Sequence, residues 1–476
     1  MEHPSETAPA TAARKRTEIP GQRGGLGFFA VCLAYCAIIL DGSVLNVAVP
    51  AIRRDLGTSL AAAQWVLDGY TLPLAALLLT AGVLGDRLGL RRMLLGGITV
   101  FTAASAACAL APDAAALIAA RAVQGIGAAA LLPATLALIP HLFTQPADRA
   151  RAALAWVAAG TVSVAAGPLV GGLLIDAFGW RSIFLINLPV GLVSAGLAWA
   201  VVPETPRARV PVDWAGQVSA ATALGLLTTG LILGGAAGWA APATLGTLAG
   251  GIAAGLVFCF AERRGRHPMV PPSFFGDRVR TAAIASAGLM GFAFYGTLFT
   301  MSLYFQLIRG ASPGGAGIAL LPLTAGSSIG PLLLYRPLAR RYGHPVLLAA
   351  GFACCAAGTA TLGWVGSSSP YPLALTGLLL TGGASTIAFS ALTSLLVSSV
   401  PPGQAGLGSG LQNTTRQAGA LIAISVLGAV LNTPHPSARL PVVFTLIGIA
   451  ACGGVAAGGT AIRADRGRGA SGTMGR

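Results

Sequence analysis

The stretch that decides the fold is GVLGDRLGLRR, residues 82–92, which lies between two long apolar runs. Its glycines allow a tight turn and a close approach of helices, because glycine has no side chain to clash. An aspartate between them can lie at a helix end and pair with an arginine of a neighbouring loop. A plain basic loop would not need this Gly–Asp–Gly spacing. We predict a conformational latch formed by Gly82, Asp86, Arg87, Gly89 and Arg91.

The composition indicates a protein that crosses a membrane many times. Of the 476 residues, 54% are hydrophobic and only 9% are charged, and the mean hydropathy is +0.75. A soluble protein carries about a quarter charged residues. The 65 glycines suit helices that pack closely in lipid. We therefore predict an all-α polytopic membrane protein and exclude a soluble globular domain.

Fourteen apolar runs are long enough to cross a bilayer, whose hydrocarbon core of ~30 Å needs about 20 helical residues. Polar residues, proline or glycine separate one run from the next. The predicted spans are 26–48, 61–84, 93–111, 114–139, 152–175, 182–202, 215–234, 241–261, 281–306, 312–335, 346–366, 371–397, 407–431 and 440–462.

Basic residues in the loops predict the orientation of the chain. Of the 30 Lys and Arg residues, 23 lie on the side that includes both termini, five lie in the opposite loops, and Arg121 and Arg416 lie within spans. Since cytoplasmic loops hold the excess of basic residues, both termini are predicted to be cytoplasmic. The formal charge of +15 then reflects topology and anionic headgroups. We expect no nucleic-acid partner, because such a protein clusters its charge on one soluble face.

An internal repeat divides the chain into two halves. LGDRLGLRR (84–92) has a degenerate echo in LARRYGHP (338–345), and the offset of 254 residues also aligns span 9 with span 1. Two six-helix halves around a midplane site are typical of rocker-type transporters. The predicted organisation is a cytoplasmic tail at 1–25, a six-helix bundle at 26–202, a linker with two extra helices at 203–280, a second six-helix bundle at 281–462 and a cytoplasmic tail at 463–476.

Two stretches of the first half place polar or small residues inside spans. RAVQG (121–125) has Arg121 and Gln124 three residues apart, on one helix face. An arginine at this depth almost always faces a partner or a water-filled cavity, although the pairing could be purely architectural. In span 5, small residues at a spacing of four allow close packing and a proline kinks the helix. These residues are Gly167, Pro168, Gly171 and Gly172.

Two stretches of the second half are candidates for a binding cavity. In span 13, Asn413, Arg416 and Gln417 face one direction, and they could contact either cargo or helix backbones. In span 9, Phe292, Tyr295 and Phe299 share one face. Such a face could form the apolar wall of a pocket or could serve packing alone.

With these motifs, residues 26–462 resemble the major facilitator superfamily, and within it the fourteen-span drug:proton antiporter branch that includes exporters of the methylenomycin-resistance type. Residues 82–92 resemble the superfamily loop G-x-L-x-D-R-x-G-R-R, with Leu90 at a usually basic position. The span 5 stretch resembles the antiporter motif G-x-x-x-G-P-x-x-G-G, with Ser163 as its first residue. The resemblance implies two six-helix bundles plus two inserted helices. It also implies a role for Arg121 in proton transfer, and export rather than uptake.

The carboxylates are distributed unevenly along the chain. Of 15 acidic residues, none lies between Asp277 and Asp465, and only Asp41 and Asp68 lie well inside spans of the first half. If protons drive transport, the titrating group is therefore Asp41 or Asp68, with Arg121 tuning its affinity for protons. Each has a structural alternative. Asp41 could position a helix within the D-x-x-x-x-N-V-A-x-P pattern of residues 41–50, and Asp68 could be a polar residue near a helix end.

We expect a proton-coupled antiporter that exports a small lipophilic drug or antibiotic across the bacterial cytoplasmic membrane by alternating access. The alternative is an importer or symporter of a small metabolite from the same superfamily, for which the nearly complete span 5 motif would be unnecessary. An enzyme is not expected, because the sequence lacks a catalytic constellation and a phosphate-binding loop. The candidate cavity residues are Asn46, Gln124, Phe292, Tyr295, Phe299, Asn413, Arg416 and Gln417.

The expected partners follow from the same features. They are a small-molecule substrate, protons and membrane lipids, with no cofactor and no metal, and the protein is expected to be a monomer. Because the second half lacks carboxylates between Asp277 and Asp465, little would attract a dication. We therefore expect a neutral, anionic or weakly cationic lipophilic cargo.

Overall fold

The computed structural model describes residues 21–208, 211–265, 268–330, 334–401 and 404–473. This described part is built from α-helices with short 3-10 and π turns, and it contains no β-strand. The predicted all-α class is therefore confirmed. Most of the predicted tail at 1–25 lies outside the described residues.

The first half contains one long helix for each predicted span and two short helical turns. Polar caps begin two of these helices: Ser59 accepts a hydrogen bond from the backbone N–H of Ala62 at 3.2 Å, and Asp113 accepts one from Ala116 at 2.8 Å. Such caps satisfy backbone donors that the first helical turn leaves free. The helices are α1 (Gly21–Asp55), α2 (Leu60–Leu88), α3 (Leu90–Ala109), α4 (Ala114–Ala137), α5 (Ile139–Leu142), α6 (Pro146–Phe178), α7 (Ser182–Leu185) and α8 (Asn187–Val201).

The predicted linker and second half are helical in the same way. The last helix continues to Thr473, past the predicted end of span 14 at 462. The helices are α9 (Trp214–Ala237), α10 (Pro242–Arg264), α11 (Arg278–Leu303), α12 (Pro313–Gly330), α13 (Arg336–Tyr342), α14 (His344–Gly363), α15 (Tyr371–Ser399), α16 (Ala405–Leu431) and α17 (Leu440–Thr473).

The two aligned glycines of the sequence repeat form the same kind of junction. Gly89 joins α2 to α3 with φ 97°, and Gly343 joins α13 to α14 with φ 78°. Only glycine adopts this backbone conformation readily. Each junction therefore turns one helix directly into the next, as the repeat predicts.

Thirteen helices of the described part are long and apolar enough to cross a membrane. The remaining predicted span, 312–335, contains α12, whose Gly and Pro content lowers its hydropathy, and residues 331–333 beyond it lie outside the described part. α12 packs between α6 and α15 like the other long helices.

The most extensive contacts between the halves are those of α2 with α16 and of α6 with α12. Glycine makes the second contact close. A β-carbon at Gly172 would collide with the carbonyl oxygen of Pro313, and one at Gly317 would collide with that of Pro168. The predicted antiporter motif of span 5 thus lies at the contact between the halves.

Hydrogen bonds also join the halves at the predicted outer end. Ser302 donates to the carbonyl of Asn46 at 2.8 Å, and Gln306 donates to the carbonyl of Val47 at 3.0 Å. Asp176 accepts from the hydroxyl of Ser312 at 2.9 Å and from the backbone N–H of Gly314 at 3.0 Å. The outer end is therefore closed in this conformation.

The first helix of the linker, α9, packs against both halves. Near its beginning, Gln217 donates to the carbonyl of Ala76 at 3.0 Å and accepts from Thr80, both on α2. Near its end, the carbonyl of Gly235 accepts from Asn432, just after α16, at 2.9 Å. α9 therefore covers the line along which α2 meets α16.

Candidate functional site

A buried ion pair lies inside the first half. Asp41 on α1 is 4% exposed and Arg121 on α4 is 1% exposed, and Arg121 Nη1 lies 2.5 Å from Asp41 Oδ2. Arg121 Nε donates to the carbonyl of Val66 at 3.2 Å, and the guanidinium lies 4.2 Å from the ring centroid of Tyr70. The membrane-embedded arginine therefore has a carboxylate partner, and that partner is one of the two candidate proton carriers.

Three polar side chains complete the surroundings of Asp41. Its Oδ1 accepts from Gln124 Nε2 at 3.0 Å and from Asn187 Nδ2 at 2.8 Å. Both amides also donate to Ser105 Oγ, at 2.7 Å from Gln124 and 3.3 Å from Asn187. A fully satisfied buried network of this kind makes its surroundings rigid. It fixes α1, α3, α4 and α8 relative to one another.

A cavity lies between the two halves beside this network. The empty space, including its open mouth, is about 600 Å³. Helices α1, α2 and α4 form one wall, and α11 and α16 form the other. The polar lining residues are Asn46, Tyr70, Thr71, Arg121, Tyr295, Arg416 and Gln417.

Arg416 is the charged residue of the second wall. Its Nη1 donates to the hydroxyl of Tyr295 at 3.0 Å and its Nη2 to Asn413 Oδ1 at 3.4 Å. The guanidinium lies 5.8 Å from the ring centroids of Tyr295 and Phe389. Its buried Nε has no hydrogen-bond partner among the described residues. No acidic side chain of the described residues forms an ion pair with it.

Asp68 has different surroundings from Asp41. It is 0% exposed and lies where α2 meets α16, away from the cavity lining. The hydroxyl of Ser425 donates to its Oδ2 at 2.9 Å, whereas its Oδ1 has no hydrogen-bond partner in the described part of the chain. One turn earlier, Gln64 donates to the carbonyl of Ile424 at 2.9 Å. Within the described part of the chain no cation pairs with Asp68.

The predicted cavity residues divide into two groups. Asn46, Tyr295, Arg416 and Gln417 line the cavity, as Arg121 does. The other four do not line it: Gln124 belongs to the Asp41 network, Asn413 contacts Arg416 from behind, and Phe292 and Phe299 pack in the apolar core. Phe299 is 0% exposed, because its side of α11 faces other helices rather than the space between the halves.

The span 5 motif lies against two helices at once. β-carbons at Gly167 and Gly171 would collide with Ser43 and Val44 of α1, while Gly172 approaches α12 of the other half. Gly317 of α12 packs so closely on the carbonyl of Pro168 that a β-carbon at Gly317 would collide with it. The motif thus allows α6 to pack tightly on both α1 and α12.

In this conformation the predicted latch loop contacts the end of α8 and the beginning of the linker. Arg91 pairs with Glu204 at 3.5 Å and donates to the carbonyl of Trp199 at 2.5 Å. The backbone carbonyl of Asp86 accepts from Ala208 at 2.8 Å. Among the described residues, neither the Asp86 nor the Arg87 side chain forms an ion pair, and Gly82 has open space beside it.

Several site residues are absent from the sequence-based set. Ser105 and Asn187 complete the Asp41 network, and Gln64 and Ser425 join α2 to α16. Buried polar side chains in membrane spans are informative, and Asn187 and Gln64 could have been found by that rule. Within the described ranges, no group of three or more His, Cys, Asp or Glu side chains is placed to hold a metal ion.

The Major Facilitator Superfamily pattern matches residues 31–214 and 213–424. The chain is 34% identical over 432 residues to the methylenomycin A resistance protein of Streptomyces coelicolor, covering 90% of this chain and 91% of that protein. It is 35% identical over 409 residues to the multidrug resistance protein Stp of Mycobacterium tuberculosis, covering 86% and 74%. The POT family transporter PepTSo has the same fold, with a TM-score of 0.64, 14% identity and coverage of 96% of this chain and 99% of that one. The chain therefore belongs to the Major Facilitator Superfamily.

Proposed function

We propose that this protein is a proton-coupled antiporter that exports a small lipophilic drug or antibiotic by alternating access. Its relatives are named for resistance to methylenomycin A and to multiple drugs. The observation that carries the proposal is the ion pair between Asp41 and Arg121. It links a titratable carboxylate, hidden behind the wall, to a guanidinium that lines the cavity.

Protonation of Asp41 would change the charge that the cavity presents. The charged carboxylate balances Arg121 at 2.5 Å. When a proton neutralises Asp41, Arg121 keeps its contacts with Gln124, Val66 and the Tyr70 ring but loses its counter-charge. The cavity then gains one unbalanced positive charge, which would repel a cationic cargo and attract an anionic one. Exchange of an anionic cargo for a proton therefore requires the proton to act at Asp68, outside the cavity lining.

Asp68 would couple protonation to closure of the outer end. With the halves together, a charged Asp68 would be buried without a cation, which is costly. The neutral acid keeps its hydrogen bond to Ser425 and avoids that cost. Protonation of Asp68 therefore favours contact between α2 and α16. Antiport requires that protonation precede closure of the outer end, because the carrier without cargo must return only when it holds a proton.

The energy available to such a cycle is set by the charge it moves. One elementary charge that crosses the membrane supplies ~2.3 kcal/mol per 100 mV. At ~1.4 kcal/mol per factor of ten, this sustains roughly a fiftyfold gradient of cargo.

The proposal is tested with everted membrane vesicles that contain the protein and an acidic lumen. For an antiporter, addition of an exported drug makes the lumen less acidic while the drug accumulates there, and a pH-sensitive dye reports the proton movement. The double variant Asp41→Asn/Asp68→Asn should abolish both signals. Drug movement in the same direction as protons would instead identify a symporter. Drug accumulation that does not depend on the proton gradient would refute proton coupling.

A further inference from the structure

We infer that the cargo is a lipophilic monoanion whose acid group binds Arg416. The inference rests on the proposed export function and narrows its substrate class. It begins from the charges around the cavity. Among the described residues, two arginines line the cavity and no carboxylate does. Asp41 neutralises Arg121, which leaves the charge of Arg416 unbalanced.

The hydrogen bonds of Arg416 leave it ready for an anion. Its two partners, the hydroxyl of Tyr295 and the amide oxygen of Asn413, are neutral and so do not cancel its charge. Each of these two bonds uses one hydrogen of Nη1 or Nη2 and leaves the other free. A guanidinium has five N–H donors, and a carboxylate can accept two of them in parallel. Arg416 thus has donors to spare on the wall of the cavity.

The second half offers no internal counter-ion for this arginine. From Asp277 to Asp465 the sequence contains no acidic residue. A charged side chain inside a membrane protein is expensive, and it normally pairs with an opposite charge or with a water-filled cavity. An anionic cargo would supply the missing charge from within the cavity. A cationic cargo would meet an unbalanced arginine and be repelled.

The remaining lining of the cavity suits an apolar body attached to the acid group. Leu67, Leu74 and Ile424 line the space near the two arginines. The hydroxyl of Tyr295 accepts from Arg416. Since Tyr295 also lines the cavity, part of the wall beside Arg416 is aromatic. The chemical class is therefore a carboxylate, sulfonate or enolate on a hydrophobic skeleton.

The charge of the cargo also determines how the membrane potential acts. Export of a monoanion in exchange for one proton moves one negative charge out and one positive charge in, which is two elementary charges per cycle. Exchange of a monocation for one proton moves no net charge. An inside-negative potential therefore accelerates the first exchange and leaves the second unchanged.

Binding to the purified full-length protein tests the inference with three fluorescent probes that share one apolar body: pyrenebutyrate, pyrenebutanol and pyrenebutylamine. We expect the wild-type protein to bind the acid most tightly. Arg416→Gln should weaken acid binding by about tenfold to a hundredfold, the range for a hydrogen bond to a charged group. Binding of the alcohol should change less than about threefold. Arg416→Lys should recover part of the loss, because it keeps the charge but not the bidentate geometry.

The matched control is Arg439→Gln, which removes the same charge from an exposed position after α16 and should leave all three affinities unchanged. Tighter binding of the amine than of the acid by wild-type protein would overturn the inference, and this result needs no variant. Equal weakening of acid and alcohol by Arg416→Gln would also overturn it, because Arg416 would then be structural.

Transport separates this inference from the proposed function. In proteoliposomes, export of pyrenebutyrate should accelerate when an inside-negative potential is imposed at constant pH, and Arg416→Gln should remove the effect. If a proton gradient drives drug export but the acid is neither preferred nor moved by the potential, the anion inference fails and the antiporter stands. If the acid binds through Arg416 but no gradient moves it, the antiporter fails and the anion site stands.

Discussion

The different surroundings of the two buried aspartates predict opposite costs for the same substitution. Asp68→Asn replaces a carboxylate that accepts one hydrogen bond, from Ser425, and whose second oxygen has no partner. The amide oxygen can still accept from Ser425, and the amide nitrogen can occupy the unpartnered position. We therefore expect the free energy of unfolding to change by no more than about 1 kcal/mol.

Asp41→Asn is the matched comparison. It removes the counter-charge of Arg121 and turns an amide nitrogen towards donors, because Asp41 accepts from Arg121, Gln124 and Asn187. Removal of one partner from a buried ion pair costs about 3–5 kcal/mol. Thermal unfolding of the two purified variants in one detergent should rank Asp41→Asn clearly below wild type and Asp68→Asn close to it.

Both variants should nevertheless lose gradient-driven efflux. Without one coupled charge, the sustained drug gradient falls by roughly fiftyfold at 100 mV, whereas exchange of internal for external drug without a gradient should persist in Asp68→Asn. The assay is drug accumulation in everted vesicles, normalised to the amount of folded protein. Undiminished accumulation by Asp68→Asn would refute its role in coupling, and equal destabilisation of the two variants would refute the assignment of their contacts.

Three further predictions concern the contacts between elements. Gly172→Val should clash with Pro313 and favour an open outer end, which would be measured as faster labelling of an engineered cysteine in the outer cavity. The control is Gly196→Val, because no atom lies near a β-carbon at that position. Equal labelling of the two variants would contradict the packing. Gln217→Ala should lose two bonds to α2 and about 1–3 kcal/mol of stability, and an unchanged unfolding temperature would contradict this. Glu204→Gln removes a half-exposed ion pair, so unfolding should change by less than about 1 kcal/mol.

Hydropathy was sufficient to predict the helices because lipid imposes a simple rule. Each run of about 20 apolar residues must satisfy its backbone hydrogen bonds internally, and only a helix does so within one segment. The helix ends were harder to predict, because helices continue into polar residues. α1 ends at Asp55 rather than 48, and α17 reaches Thr473.

The site was predicted in part, for a physical reason. Charges in spans are rare enough to be conspicuous, so Asp41, Asp68, Arg121 and Arg416 could be selected by composition alone. Their pairing could not be, because which carboxylate meets Arg121 depends on how four helices pack. Phe299 illustrates the opposite error: three aromatics on one helix face give no indication of whether that face meets the cavity or a neighbouring helix.

The position of α9 constrains how the two halves can move. It is bonded to the first half near its beginning, through Gln217, and to the second half near its end, through Gly235 and Asn432. If the outer end opens, α2 and α16 separate around Asp68, and α9 cannot keep both contacts. Its end has one exposed hydrogen bond beside the packing of Gly235 on Ala429 of α16, whereas its beginning has two buried hydrogen bonds. The helix should therefore stay with the first half and release Asn432, which would open a path to Asp68 beside α16 through which an external proton could enter.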